Sequence, residues 1–295
     1  MQRRTFLEVG GTTALAALAV PNWAEFLLAG DGLKNIGLQL YTVRDDMQND
    51  PTATLKRIAD IGYRHIECAG YKNGTFYGKE KSEFKKILAD LGLKMHSGHA
   101  MTGFGMPKGT YSMTYEWEKY CEDAAYMGQK YIVSAYFLDA ERKTLDDYRR
   151  HAELFTKSAL IANKHGLTFC HHNHDFEFIP IDGIVPYDIF IKETDASLVK
   201  FELDFYWTKK ANVDTNKLLL ENPGRFPLFH IKDMENTPEQ SFTEVGNGVI
   251  DWKKVFGLSK TAGMELFFVE QDVCKNMKPL ESIAVSYKYL SSLKV

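Results

Sequence analysis

Two hydrophobic rhythms alternate along the chain from residue 34 onward. Short apolar runs, the first of them NIGLQLY from Asn35, give way to longer stretches whose apolar positions recur every three or four residues. The short runs are rich in Ile, Val, Phe and Tyr and predict strands, whereas the longer period predicts helices. Further strands are predicted for HIECAG from His65, LKMHSGH from Leu93, YIVSAYF from Tyr131, LTFCHHNH from Leu167, KFELDFYW from Lys200, PLFHIKD from Pro227 and LFFVEQD from Leu266. Their starts fall about thirty residues apart, the spacing that a strand–helix–strand crossover needs. Between them, residues 52–61 place Leu55, Ile58 and Ile61 on one face, with Pro51 suited to the first turn. Helices over 81–91 and 145–164 are closed by Gly92 and Gly166. Residues 117–127, 251–258 and 280–293 complete the helical set. The connection between the fifth and sixth strands is less regular, with Pro180, Gly183 and Pro186 before a short helical piece.

Eight such units in a chain of 295 residues predict an α/β fold of the closed (β/α)8 TIM-barrel type. The open, doubly wound sheet is the alternative. No GxGxxG follows the first strand, which weighs against a dinucleotide-binding version of it. No break in composition marks a second domain, so residues 31–295 are read as a single barrel. Residues 1–30 follow a different pattern. MQRRTFLEVGGTTALAALAV sets Arg3 and Arg4 before a Gly- and Ala-rich apolar run, and Asn22 and Glu25 interrupt that run too early for a bilayer span. This predicts a twin-arginine export signal and a periplasmic location, with no stable membrane anchor after cleavage. An ordinary N-terminal helix is the competing reading.

Composition changes this picture little. Apolar residues make up 44% and charged residues 25%, as in ordinary globular chains. A net charge of −3 lays no electrostatic footprint for nucleic acid or an anionic membrane, so the expected partner is a small molecule. Self-association is left open. Cys68, Cys121, Cys170 and Cys274 form no CxxC pair and hence no cysteine zinc site. Their even number permits disulfides, but Cys68 and Cys170 lie within strand runs and read as buried thiols.

Chemistry in a parallel barrel gathers at the C-terminal ends of its strands. Here several strands begin apolar and finish with ionisable groups: Glu67 on the second, His96 and His99 on the third, and the stretch CHHNHDFEF on the fifth. The sixth ends with Glu202 and Asp204, the seventh with His230, Lys232 and Asp233, and the eighth with Glu270 and Asp272. Asp204, His230 and Glu270 come from consecutive strands and would be neighbours. One imidazole and two carboxylates suit a divalent metal ion such as Mn, Mg, Co or Zn. Strand period sends His172 and His174 to one side and His171 and Asn173 to the other. His172 then completes the set, with His174 or Glu177 in its place if the strand ends early, and orientation of the other ligands is the alternative role for the stretch. Lys232 is placed to favour an oxyanion. His99 and Glu67 are candidates for binding hydroxyls or moving protons. Tyr41, Tyr136, Phe137, Phe176 and Trp207 would form an aromatic wall. The turn EVGNGVIDW, residues 244–252, offers N–H groups to an anion or hydroxyl, or is a turn alone.

Six pieces carry a resemblance: GLQLYTVRD at 37–45, HNHDFEF at 172–178, ELDFYW at 202–207, HIKD at 230–233, GNGVIDW at 246–252 and VEQD at 269–272. Through them the chain resembles the xylose-isomerase-like barrel superfamily of sugar phosphate isomerases and epimerases. The epimerases of that group hold a metal with Glu, Asp, His and Glu on strands five to eight. The resemblance therefore implies Asp204, His230 and Glu270 as ligands. It departs at the fifth strand, where His172 stands near the place of the glutamate, and three residues past Asp204, where Trp207 replaces a histidine. The implied reaction is isomerisation or epimerisation of a keto sugar or related polyol through an enediolate. Glu270 would be the base, His172 or His99 would return the proton, and Lys232 would stabilise the oxyanion. The rivals are β-elimination from a 3-keto-glycoside or inosose, and a non-catalytic sugar-binding protein. Endonuclease-like hydrolysis would need more metal ligands and a basic face. Export would favour an unphosphorylated substrate.

Overall fold

The computed structural model describes residues 32–295; the predicted export signal, residues 1–30, lies outside the described residues. Eight strands form at the eight predicted places: β1 (Gly37–Gln39), β2 (His65–Cys68), β3 (Lys94–Ala100), β4 (Tyr131–Ser134), β5 (Thr168–His172), β6 (Val199–Asp204), β7 (Leu228–Ile231) and β8 (Leu266–Val269). Each pairs in parallel with its neighbours in chain order, and β8 closes on β1. The fold is a TIM barrel. At the closing seam a Cβ on Gly37 would lie 2.5 Å from the Phe267 carbonyl oxygen and 2.6 Å from the Phe268 ring. Only glycine lets β1 approach β8 there.

The outer helices obey local chemistry. Asp50 caps the helix Pro51–Ile61 by accepting from the Ala53 N–H at 3.0 Å. Thr144 and Asp147 form a capping box at the head of Leu145–Lys164. That helix buries Phe155 against the outward face of β5, its ring 4.7 Å from His171. The predicted helix over 251–258 forms as Trp252–Gly257, and a further short helix, Ser259–Ala262, follows it. Arg44–Asn49 and Phe205–Lys210 are helices of only six residues, too short for a hydrophobic period to reveal. Among the described residues no helix is long and apolar enough to cross a membrane.

Three features shape the C-terminal face. Two short antiparallel ribbons rise from it, Tyr71–Lys72 with Thr75–Phe76 and Asp233–Met234 with Phe242–Thr243. Between β2 and β3 the register shifts at Ile66/Glu67, so that Glu67 pairs with Ser97 instead of His96. This bulge re-aims the strand beyond it. His96 turns to stack on His65 at 4.6 Å, while His99 enters the barrel beside Glu67.

Candidate metal centre

The i, i+2 pairs at the strand ends build the centre in two layers. The lower layer holds Glu67 from β2, His99 from β3 and Glu202 from β6; the upper holds His172, Asp204, Glu270, Lys232 and Asp272. His230 joins the two. Its Nε2 lies 2.7 Å from Glu67 Oε2 and 3.1 Å from Glu202 Oε2, so this nitrogen carries a proton. Its Nδ1 faces Glu270 Oε2 at 3.0 Å and Asp204 Oδ2 at 3.9 Å. Burial alone would lower the pKa of His230, but Glu202 and Glu270 raise it well above the ordinary value. Burial would raise Glu67, yet His99 and His230 hold it below the usual carboxylate range. His99 Nε2 sits 2.8 Å from Glu202 and 3.2 Å from Glu67. Burial opposes its protonation, and these carboxylates push it up to about 10.

Asp204 divides its two oxygens. Oδ1 accepts from the Trp207 N–H at 2.9 Å and caps the helix Phe205–Lys210; Oδ2 turns to the centre. The backbone of Asp204 is clamped by Asn173, whose Oδ1 accepts from the Asp204 N–H at 2.9 Å and whose Nδ2 donates to its carbonyl. Lys232, 1% exposed, places Nζ 2.7 Å from Glu270 Oε2, 2.9 Å from Asp272 Oδ1 and 3.2 Å from Asp204 Oδ2. Burial would raise Glu270, but Lys232 and His230 hold it well below the usual range, so it is a carboxylate at neutral pH. Asp272 is instead pushed up to about 6 by burial, against the pull of Lys232.

The upper residues fit a divalent ion. One ligand atom from each of His172, Asp204, His230 and Glu270 lies within 4.8 Å of the others. The His172 Nδ1 is 3.3 Å from the Ala135 carbonyl oxygen, which can only accept, so that nitrogen holds the ring proton. Burial and His230 lower the pKa of His172, leaving a neutral ring with a bare Nε2. That lone pair faces Asp204 Oδ2 at 3.3 Å, a repulsive contact unless a cation lies between. Separations of about 3 Å are also the polyhedron edges expected when metal–ligand bonds are about 2.1 Å. Around the whole centre, five buried or half-buried carboxylates (Glu67, Glu202, Asp204, Glu270, Asp272) outnumber the three groups held cationic beside them, Lys232, His99 and His230. Uncompensated buried charge is costly, and a dication relieves it.

The set Glu67, His99, Glu202 and His230 is a second possible ligand cluster, and Oε1 of both glutamates lacks a hydrogen-bond partner. Its close contacts are already hydrogen bonds, however, with Gln39 adding one to Glu67 at 2.8 Å. The upper cluster reaches a cavity of ≈ 490 Å³ through His172 and Glu270, beside Lys232, whereas the lower cluster reaches it through His99 alone.

The structure brings Glu270, His172, Lys232, Asp204 and His230 together, with His99 one layer below. It separates the three alternatives in the fifth strand. His174 stacks on Phe176 at 5.3 Å in the cavity wall. Glu177 is buried away from the centre, accepting from the His174 N–H and pairing with His171 at 3.0 Å. Tyr41, Tyr136, Phe176 and Trp207 line the cavity. Phe137 does not: it is wholly buried against His151, 3.9 Å between ring centroids. The N–H groups of the GNGVIDW turn are engaged within the chain, those of Asn247 and Val249 by the carbonyls of Glu244 and Met234 and those of Gly246 and Ile250 by Asp233. Its carboxylate accepts from Gly246 N, Ile250 N and the Trp252 Nε1. Asp272 and Glu202 belong to the centre although neither was assigned a role from sequence. The signal was present, since each lies two residues from a ligand on the same strand face.

The family model for xylose isomerase-like TIM barrels matches residues 55–285. The chain belongs to this family. Among solved structures, a sugar phosphate isomerase/epimerase from Parabacteroides distasonis ATCC 8503 is 27% identical, with a TM-score of 0.74 over 87% of this chain and 97% of that one. The 3-keto-D-glucoside 4-epimerase from E. coli is 17% identical, with a TM-score of 0.67 over 88% of this chain and 100% of its own. A structure of L-ribulose 3-epimerase is 15% identical, with a TM-score of 0.65 over 87% and 93%. At these last two identities the likeness is one of fold. No curated protein matches the chain.

Proposed function

We propose that the protein is a divalent-metal-dependent isomerase or epimerase that moves a proton beside the carbonyl of a keto sugar or related polyol, through an enediolate. The observation that carries this reading is the clustering of His172, Asp204, His230 and Glu270 beside a cavity that His172 and Glu270 line, with Lys232 against two of them. When bound, a divalent ion supplies Lewis acidity that polarises the substrate carbonyl. Glu270, ionised and facing the cavity, takes the C–H proton. Lys232 offsets the negative charge that develops on the substrate oxygen. His99 is the candidate to return the proton, because the two ring nitrogens of His172 are engaged by the Ala135 carbonyl and the ion site. Trp207, Tyr136 and Phe176 exclude water and present apolar faces to a sugar ring. Relatives described as a sugar phosphate isomerase/epimerase and a 3-keto-D-glucoside 4-epimerase support the reaction class. The twin-arginine pattern at Arg3 and Arg4 supports export and thus an unphosphorylated substrate.

The test is proton NMR in D2O of the metal-loaded protein with free keto sugars, inososes and 3-keto-glycosides, beside a Glu270→Gln control. Deuterium beside the carbonyl of an isomeric product, lost in the control, is the expected result. Release of water or an aglycone would replace isomerisation by β-elimination. Absence of exchange with every sugar and metal would refute the reading.

A further inference from the structure

The cavity over the metal centre has a neighbour. A second compartment of ≈ 710 Å³ adjoins it, and the two share Tyr41, Ala69, His99, Ala100 and Met101 as a common wall. Either volume by itself is in the range that holds a drug-sized ligand. The first suffices for a single sugar ring, so the second is surplus to a monosaccharide substrate. It has no part in the chemistry described above, and its lining differs. Tyr71, Tyr77, Tyr111, Met47 and Met106 give it an aromatic and thioether surface. Tyr41, 44% exposed, stands at the junction.

This compartment is built, and the sequence spends effort on holding it. Tyr71 stacks face to face on Tyr120 at 4.0 Å and meets Tyr111 edge-on at 5.3 Å. Its hydroxyl donates to Asp123 at 2.7 Å, and Asp123 is held in turn by Lys81 and Lys119. The Tyr77 hydroxyl accepts from the Ala69 N–H at 3.0 Å. A Cβ on Gly70 would come within 2.2 Å of the Tyr77 ring, so glycine is needed for that approach. The loop after β3, which carries Met106 and Tyr111, is fastened by buried Glu141, accepting from Thr102 Oγ1 at 2.7 Å and Gly105 N at 2.8 Å. Long loops held this firmly at the C-terminal face of a barrel are where specificity resides.

We propose that the substrate is a glycoside: its reacting ring lies over the metal centre, and the group joined through the glycosidic oxygen occupies the Tyr/Met compartment with a flat apolar face. This rests on the function proposed above and names its substrate class. Two rings joined by one oxygen match two chambers that adjoin along Tyr41, Ala69, His99, Ala100 and Met101. Phosphate is the rival occupant: Arg44 donates to the carbonyls of Tyr41 and Asp272 through Nη1, each at 3.0 Å, and its remaining N–H groups are what the fructose 6-phosphate arm below tests. The flat face could belong to a sugar or to an aryl aglycone, and the test separates them.

Binding is measured by calorimetry on the full metal-loaded chain, with 3-keto-glucose, 3-keto-cellobiose, phenyl 3-keto-β-glucoside, fructose and fructose 6-phosphate. At least one glycoside should bind about tenfold or more tightly than 3-keto-glucose, the gain that one good aromatic contact supplies. Tyr111→Ala and Met106→Ala should each remove most of that advantage and leave the affinity for 3-keto-glucose unchanged. The phenyl and cellobiose arms show which second group is preferred. Equal affinity for free sugar and both glycosides, failure of both glycosides to bind, or equal losses for every ligand in the two variants would overturn the proposal. So would tighter binding of fructose 6-phosphate than of fructose that disappears in Arg44→Gln. A Tyr111-dependent glycoside preference without proton exchange would uphold the compartment and refute the isomerase reading. Exchange on the free sugar without such a preference would do the reverse.

Discussion

Glu67 lies outside the upper ligand set, yet Glu67→Gln should weaken the metal site. The wild-type Oε2 accepts from His230 Nε2 at 2.7 Å and from Gln39 Nε2 at 2.8 Å. It thereby fixes the proton on Nε2 and leaves Nδ1 to face the upper donors. Glutamine is nearly the same size. If its oxygen takes the place of Oε2, the tautomer survives but the imidazole loses the basicity that a carboxylate partner confers. If its amide nitrogen takes that place, it opposes two donors and His230 must turn. Loss of such an outer partner lowers metal affinity roughly 10–100-fold. At a free metal concentration of 100 times the wild-type Kd, binding stabilises the wild-type fold by about 2.7 kcal/mol. In the variant this falls to about 1.4 kcal/mol for a tenfold loss and about 0.4 kcal/mol for a hundredfold loss. Competition against a fluorescent chelator reads the affinity directly, and thermal melts with and without metal read the stabilisation. A variant that binds metal as tightly as wild type and gains the same melting increment would refute the layered account, in which His230 is oriented from below.

Three further outcomes follow from contacts outside the ligand set. Asn173→Ala removes the side-chain clamp on the buried Asp204 backbone, whose N–H donates to Asn173 Oδ1; a cost of about 1–3 kcal/mol in denaturant unfolding is expected, with weaker metal binding although no ligand is altered. Asp233→Ala strands the N–H groups of Gly246, Ile250 and Trp252; unfolding should show a loss of about 3–5 kcal/mol, and a loss below about 1 kcal/mol would mean that the turn has other anchors. His151 gives a pH signature: burial lowers it to about 4, below the unfolded value of about 6.5. A depressed histidine disfavours the protonated folded state, so its contribution is complete above about pH 6.5 and is lost as pH falls toward 4. His151→Phe should therefore flatten the pH dependence of unfolding in that window.

The barrel was legible because its signals are local. Each strand run is short, apolar and bounded by turn residues, and parity within a strand follows from the pleat alone. The same parity made His172, Asp204, His230 and Glu270 legible as neighbours. What parity leaves undecided is where a strand stops. His174 and Glu177 remained alternatives because only the turn at Asp175–Phe178, with Glu177 folded back onto His171, shows that the strand has ended. Phe137 was misplaced for a similar reason. It follows β4 by three residues, beyond the reach of strand parity, and its ring is drawn into the aromatic cluster with His151 and His171.

The lower layer exposes a second limit. Glu202 and Glu67 are as polar as any ligand, but depth along a strand is a matter of register between strands, and register is not written in one strand. The β2–β3 bulge decides that Glu67 meets Ser97 and that His99 reaches Glu202. Had the strands paired without it, His99 would have the opposite parity and would leave the barrel. The bulge therefore does what no single residue in the centre does. It supplies the upper donors with an ionised floor, so that His230 has a carboxylate on each side. This is why the candidate ligands could be read as neighbours from their strands, whereas their order of depth, and with it the contacts of each His230 nitrogen, emerges only from the closed barrel.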